Sequence, residues 1–183
     1  MATMFIKHIM FPLSLLLLLF IASPTTNAML IKDMYTFCKE TADVDFCLKY
    51  IGTDKRILAA KDFNDVLLIA FSQCKIQVSE ATKQINKVRQ NFSGPNGKRR
   101  IKRCEINYGL ASALFDEAYE IGILKGVQNK AHNAALDGLD YVRACEDEWK
   151  INGPVQKSPL TFYNTNIDKL FSIIFIIVQK LNG

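Results

Sequence analysis

Few residues of this chain have the types and spacing that chemistry needs. His8 and His132 are the two histidines, and His8 lies in an apolar leader, so His132 alone could serve a Ser/His/Asp or Cys/His arrangement. No G-x-S-x-G, H-E-x-x-H or C-x-x-C occurs, which removes the usual nucleophile elbow, zinc and dithiol signatures. Gly94-Pro-Asn-Gly-Lys98 has the flavour of a phosphate loop but lacks its spacing and its Ser/Thr, and it follows a helix rather than a strand. Neither a catalytic centre nor a cofactor or metal site is expected. His132 reads as a boundary residue of a helix, with the alternative that it tunes binding to a partner as it gains charge in an acidic compartment.

The remaining reactive groups are cysteines and clustered charges. Five cysteines, at 38, 47, 74, 104 and 145, leave an odd thiol if four pair. Lys98, Arg99, Arg100, Lys102 and Arg103 crowd five cations into six residues. At a helix start the dipole disfavours them. They read as a solvated run or as a docking patch for an acidic partner, with Lys98, Arg99, Arg100 and Arg103 as candidate contacts. Asp137, Asp140, Glu146, Asp147 and Glu148 read as a solvated face, or as a contact surface together with Asp116 and Glu120. Asn91-Phe-Ser93 is an N-glycosylation sequon in a cluster of turn formers.

The elements that position these groups are helical. Proline is missing between residues 29 and 94 and again between 96 and 153, and apolar residues recur at three and four. Phe63, Leu67, Ala70, Cys74, Val78, Ala81, Ile85 and Val88 form the clearest stripe, with Asp62 placed to cap it. A second stripe runs Ile101, Cys104, Tyr108, Ala111, Phe115, Ala118, and a third runs Val127, Ala131, Ala134, Gly138, Tyr141, Cys145. A hairpin turning at Gly122–Gly126 sets residues whose numbers sum to about 249 opposite each other. That register matches Ala111 with Gly138, Phe115 with Ala134, and Cys104 with Cys145. Cys74 lies opposite roughly residue 114, which makes a bond to Cys104 harder to build, and it sits on an apolar stripe, so it reads as a buried free thiol, with a redox or intermolecular role as the alternative. Cys38 and Cys47 then remain as the second pair. A fourth helix, capped by Asn166, carries Ile167, Leu170, Ile174, Ile177 and Leu181, and with Ile173, Phe175, Ile176 and Val178 it is apolar on nearly every side. Such a helix is either buried by several neighbours or exposes a sticky face.

Residues 1–28 hold one Lys and no Asp or Glu, with an apolar run from Ile9 to Ile21 too short for an ordinary span and small residues at Thr26 and Ala28. They read as a secretory signal peptide, leaving residues 29–183 as one domain. Removing Lys7 from 23 Lys and Arg leaves 22 against 18 Asp and Glu, a weakly basic chain without a nucleic-acid recognition motif. Neither nucleic acid nor a membrane is an expected partner, and secretion favours disulfides.

Taken together, Ile31-x6-Cys38-x2-Thr41-x5-Cys47, then Cys104-x3-Tyr108-x2-Ala111-x6-Ala118, Ala134-Ala135-Leu136, Tyr141-x3-Cys145-Glu-Asp and Asn166-x3-Leu170 resemble the plant invertase and pectin methylesterase inhibitors. The resemblance covers nearly all of residues 29–183. It implies an all-α, up-down-up-down four-helix bundle preceded by a short N-terminal helical hairpin, with disulfides Cys38–Cys47 and Cys104–Cys145. It implies a secreted, apoplastic protein that inhibits without chemistry, a monomer that forms a one-to-one complex over the cleft of a cell-wall enzyme. Two positions depart from the family pattern. No proline lies between Cys38 and Cys47, and of the Pro-Lys-Phe common in the turn of invertase inhibitors only Lys125 is present. Lys125 is therefore a candidate target contact, and pectin methylesterase stands slightly ahead of acid invertase as the target. A different class of function, a non-inhibitory extracellular lipid-binding or interaction module, is the alternative that so apolar a fourth helix raises.

Overall fold

The structure, a computed structural model, describes residues 31–151 and 153–183, so the signal peptide expected at 1–28 lies outside the described residues. A short helix α1 (Ile31–Cys38) and a single turn α2 (Val44–Cys47), continued by a π-helical turn over Leu48–Gly52, make the N-terminal hairpin. Four long helices follow: α3 (Phe63–Val88), α4 (Pro95–Ile123), α5 (Gln128–Ile151) and α6 (Thr161–Asn182). Their short connections force each helix to run antiparallel to the one before, and α6 closes the bundle by packing on both α3 and α5.

Local chemistry sets where these helices begin. Asp62 caps α3, its carboxylate accepting from the amides of Asn64 and Asp65. At α4, Pro95 occupies the first turn, where its missing N–H costs nothing. The start of α6 differs from expectation. Asn166 is not its cap: Ser158 Oγ accepts from the Leu160 amide at 3.1 Å and the helix begins at Thr161. Asn166 is instead buried one turn in, donating to Gln77 Oε1 at 2.9 Å and to the Tyr50 hydroxyl at 3.1 Å. An amide with two side-chain acceptors in reach is satisfied inside the bundle, so it need not serve the helix end.

The α3 and α4 stripes are buried much as their periodicity dictates, from Leu67 to Ile85 and from Ile101 to Ala118. In α5 the buried face is wider and rotated: Ala135, Leu139, Val142 and Trp149 go inside, while Val127 and Tyr141 remain exposed. The physical reason is that α5 packs against α4 on one side and α6 on the other, so its apolar arc must exceed a single stripe. The α4–α5 hairpin packs closely because Gly138 faces it: a β-carbon there would lie 3.3 Å from Leu114 Cβ and from the Phe115 ring. That juxtaposition is the expected register, and Cys104 is bonded to Cys145 across the same seam.

Helix α6 buries Ile167, Leu170, Ile173, Ile174, Ile177 and Val178 among its neighbours. Each such side chain contributes about 1.5–3 kcal/mol of transfer free energy. Most of its apolar surface is therefore used inside the bundle, with Phe162 and Phe175 left exposed, and the observation that suggested a lipid-binding module is correspondingly weakened. Cys38 and Cys47 are bonded within the hairpin. The hairpin then docks on the bundle through Phe37 against Phe63, with ring centroids 5.5 Å apart, and through two ion pairs to α6, Asp43–Lys169 and Glu40–Lys180, each at 2.7 Å.

The two disulfides close loops of very different length, 41 and 9 residues. Replacing both Cys104 and Cys145 by Ala should lower the unfolding free energy by about 4 kcal/mol, against about 2.5 kcal/mol for Cys38 and Cys47. Urea unfolding of the two double variants checks the order.

Candidate functional site

The charged residues picked out in the sequence do not converge. Arg100 lies in the second turn of α4 and Lys125 just beyond its end, so about 25 residues of helical rise, on the order of 35 Å, separate them. The candidate contact cations thus lie at opposite ends of the bundle.

At one end, Lys125 sits on the α4–α5 turn beside the start of α3. Its ammonium pairs with the capping carboxylate of Asp62 at 2.8 Å, which holds that carboxyl below and the lysine above its ordinary range. Ile123 and Leu124, which precede it, are 49% and 63% exposed, so the tip combines one cation with two solvent-facing aliphatic chains. Nearby, a shallow cleft of about 430 Å³ is lined by Arg56, Lys61, Asp65, Tyr119 and Lys125. Within it Arg56 is occupied, bonding to both carboxylate oxygens of Asp54 and to Ser72 Oγ. The guanidinium of Arg56, with help from the Gln73 amide, holds the Asp54 carboxyl down to about 2.

At the other end, the basic run forms the first turns of α4. Lys98, Arg99, Lys102 and Arg103 are all exposed; Lys102 also reaches Glu105 at 3.4 Å, and Glu105 pairs with Arg89 at 2.8 Å. Arg100 is the correction to the sequence reading. At 1% exposure it is inside, not on the docking surface, donating from Nη1 to Gln156 Oε1 and from Nη2 to the Pro154 carbonyl, each at 3.0 Å. It follows Ile101 and Cys104 on the inward side of the helix because positions 100, 101 and 104 share one face. Asn91, the sequon residue, is exposed in the turn (Arg89–Phe92) that precedes α4.

The acidic residues divide in the same way. Asp116 pairs with Lys75 at 2.6 Å, Asp147 with Lys150 at 2.9 Å, and Asp140 lies 3.8 Å from Arg143, which binds Asp168 at 2.7 Å. Glu146 is not part of a solvated face. It accepts from the Thr161 hydroxyl at 2.9 Å and from the Asn164 amide, and the Asn164 carbonyl oxygen accepts from the buried Tyr108 hydroxyl. This chain of groups links α4, α5 and α6. Tyr108 was visible in the sequence as an apolar-stripe position and as part of the family pattern, and Asn164 gave no signal at all. Burial, with the nearby Glu146 carboxylate, pushes the Tyr108 phenol up.

His132 lies half-buried between α5 and α6, its ring 5.0 Å from that of Phe171 and 5.8 Å from that of Phe175, with Nε2 buried and unpartnered. Cys74 is fully buried, and burial pushes its thiol well above the ordinary range. Among the described residues, no group of three His, Cys, Asp or Glu side chains comes together as a metal site would require, and no helix is long and apolar enough to cross a membrane.

These features define a rigid, cross-linked helical bundle that meets other molecules with its surface. Residues 32–177 match the family described as plant invertase/pectin methylesterase inhibitor, and the chain belongs to that family. It is 51% identical over 181 residues, 99% of each chain, to "Pectinesterase inhibitor 5" of Arabidopsis thaliana. It is 28% identical over 138 residues to "Cell wall / vacuolar inhibitor of fructosidase 1" of the same plant, covering 74% of this chain and 62% of that protein. A crystal structure of a mutant form of a pectin methylesterase inhibitor from Arabidopsis superposes with a TM-score of 0.65 at 21% identity, covering 80% of this chain and 95% of the other. A second crystal structure of such an inhibitor gives 0.59 at the same identity, covering 82% and 96%. At that identity the structural likeness speaks for the fold.

Two measurements check this geometry. Because the Asp54 carboxyl is depressed by folding, its stabilisation is full above the unfolded value near 4 and is lost as pH falls toward about 2. Asp54→Asn should therefore lower the melting temperature at pH 6 and flatten its fall between about pH 4 and 2. Arg100→Met should destabilise the fold, whereas Arg99→Met and Arg103→Met should shift stability by no more than about 0.5 kcal/mol.

Proposed function

We propose that this chain is a secreted inhibitor of pectin methylesterase, acting in the apoplast as a monomer that covers the cleft of one enzyme molecule. The observation that carries this reading is the 51% identity to "Pectinesterase inhibitor 5", sustained over 99% of both chains. The weaker likeness to an inhibitor of fructosidase makes acid invertase the second target to test. The leader-like residues 1–28 and the two disulfides support an extracellular site of action. The exposed position of the Asn91 sequon supports glycosylation there.

Inhibition of this kind requires a surface rather than reacting groups. A stable one-to-one interface buries about 800 Å² on each partner. The 35 Å between Lys125 and the basic run exceeds what a patch of that size spans, so the two clusters are rival contact regions unless the enzyme lies along α4. The Lys125 tip, with its exposed Ile123 and Leu124, has the apolar content that an interface centre needs. Lys98, Arg99 and Arg103 have the charge that speeds encounter with an acidic enzyme surface.

The test is a titration of the disulfide-bonded protein lacking residues 1–28 against a plant pectin methylesterase and a plant acid invertase at pH 5 and pH 7. Inhibition of the methylesterase alone, saturating at one inhibitor per enzyme, is the expected result. Inhibition of invertase alone would reverse the target. Lys125→Ala should raise the dissociation rate if the tip sits at the centre. Reversal of Lys98, Arg99 and Arg103 to Glu should slow association at low salt and lose that effect as salt rises.

A further inference from the structure

The α4–α5 turn is tied to the start of α3 by more than the surface ion pair between Asp62 and Lys125. Asn64, the second residue of α3, is 4% exposed, and its side chain reaches both ends of the turn. Its Nδ2 donates to the Gly122 carbonyl at 3.2 Å, and its Oδ1 accepts from Gln128 Nε2 at 3.3 Å. One amide thus joins the last turn of α4 to the first residue of α5. Because it donates on one side and accepts on the other, only one orientation satisfies both partners.

Packing enforces the same position. A β-carbon at Gly122 would lie 3.1 Å from Leu68 Cδ2 and from Phe71 Cε2, so the glycine brings the backbone of α4 directly onto α3. Past that contact the turn has little to brace it. Residues 123–127 are exposed, and its backbone bonds run from Leu124 N to the Ile121 carbonyl at 2.9 Å and from Lys130 N and Ala131 N to the Val127 carbonyl at 2.9 and 3.2 Å. A segment with so few buried contacts opens locally at small free-energy cost unless it is held from outside.

Asp62 adds a hold at the apex. Its Oδ1 accepts from the Asn64 and Asp65 amides, while its Oδ2 accepts from Lys125 Nζ at 2.8 Å, so capping the helix and holding the cation use different atoms. An exposed ion pair of this kind contributes little to stability. Its consequence is where Lys125 sits.

We propose that Asn64 and Asp62 are positioning residues for target binding, holding the α4–α5 turn in the one arrangement in which Ile123, Leu124 and Lys125 meet the enzyme. This rests on the reading of that tip as the contact surface. A preformed tip loses little conformational entropy on docking, whereas a loosened tip docks only in the fraction of molecules that have the right arrangement. Kinetics separates the two kinds of residue. Loss of a contact such as Lys125 speeds dissociation, and loss of a positioning group slows association while the complex, once formed, dissociates as before.

Two readouts are taken on the secreted, disulfide-bonded protein. Hydrogen exchange at the Leu124, Lys130 and Ala131 amides, relative to amides in the middle of α4, is measured on the free protein, and association and dissociation rates are measured against the enzyme that it inhibits. Asn64→Ala should speed exchange at the three amides at least about tenfold. It should slow association about fivefold with an unchanged dissociation rate. Gln128→Ala removes one bond from the outer side of the turn and leaves Gly122 satisfied, so it serves as the test if Asn64→Ala does not fold; both effects should be about threefold. Asp62→Asn keeps a good cap but removes the charge that holds Lys125. It should slow association about twofold with a melting temperature within about 3 °C of wild type. Wild-type exchange in Asn64→Ala and Gln128→Ala would overturn the hold itself, whatever the target. Faster exchange with unchanged association, or a change confined to dissociation, would overturn the positioning role. Inhibition of neither pectin methylesterase nor acid invertase by the wild-type protein would overturn that role together with the reading on which it rests, and the exchange rates alone would then decide whether Asn64 holds the turn.

Discussion

The antiparallel seam between α4 and α5 is the constraint on which the rest of the molecule depends. Ala111, Ala118, Ala131, Ala134 and Gly138 are buried there, so the two helices approach closely and in one register. The Cys104–Cys145 bond ties that register covalently across a separation of 41 residues. With the seam set, α3 and α6 have a two-helix wall to close against, and their larger residues, Phe71, Ile85, Leu170 and Ile174, fill the space that the small ones leave. The wall also fixes the two ends of the molecule. Lys125 must appear at the turn of the hairpin and the basic run at its open end.

Polar groups in the interior are arranged as cross-ties between helices, not as a reaction centre. Asn166 connects α6 to α3 and to the N-terminal region, and the Tyr108–Asn164–Glu146 chain connects α4, α6 and α5. Fully satisfied networks of this kind select one packing among the many that an apolar core would tolerate. Arg100, His132 and Trp149 stand apart, since each keeps one buried nitrogen without a hydrogen-bond partner among the described residues. A rigid scaffold with its interior so occupied suits a protein that acts by shape, since little ordering entropy remains to oppose complex formation.

How much of this was legible beforehand depended on whether a local rule governed the residue. The helix class, the Asp62 cap, the α3 and α4 stripes and both cysteine pairs followed from spacing and family resemblance, because a helix face is set by residues three and four apart. The α5 stripe was misjudged at Val127 and Tyr141, since two neighbours rather than one share that helix and the buried arc is wider than its strongest period. Asn166 was misread as a cap because an Asn before an apolar run carries that local signal, while its true acceptors, Gln77 and Tyr50, lie 89 and 116 residues away. Arg100 was grouped with its surface neighbours by charge alone.

By itself, then, the sequence determined an all-helical, disulfide-braced bundle with Cys74 left over, through periodicities that act over a single turn. Only the tertiary structure decided which charges are available. It took Arg100 inside, drew Glu146 into hydrogen bonds with Thr161 and Asn164, and tied Asp62 to Lys125. It also set the two basic regions about 35 Å apart. The reason is physical: burial and pairing are properties of contacts between distant segments, and those contacts exist only once the α4–α5 seam has set the register for the rest.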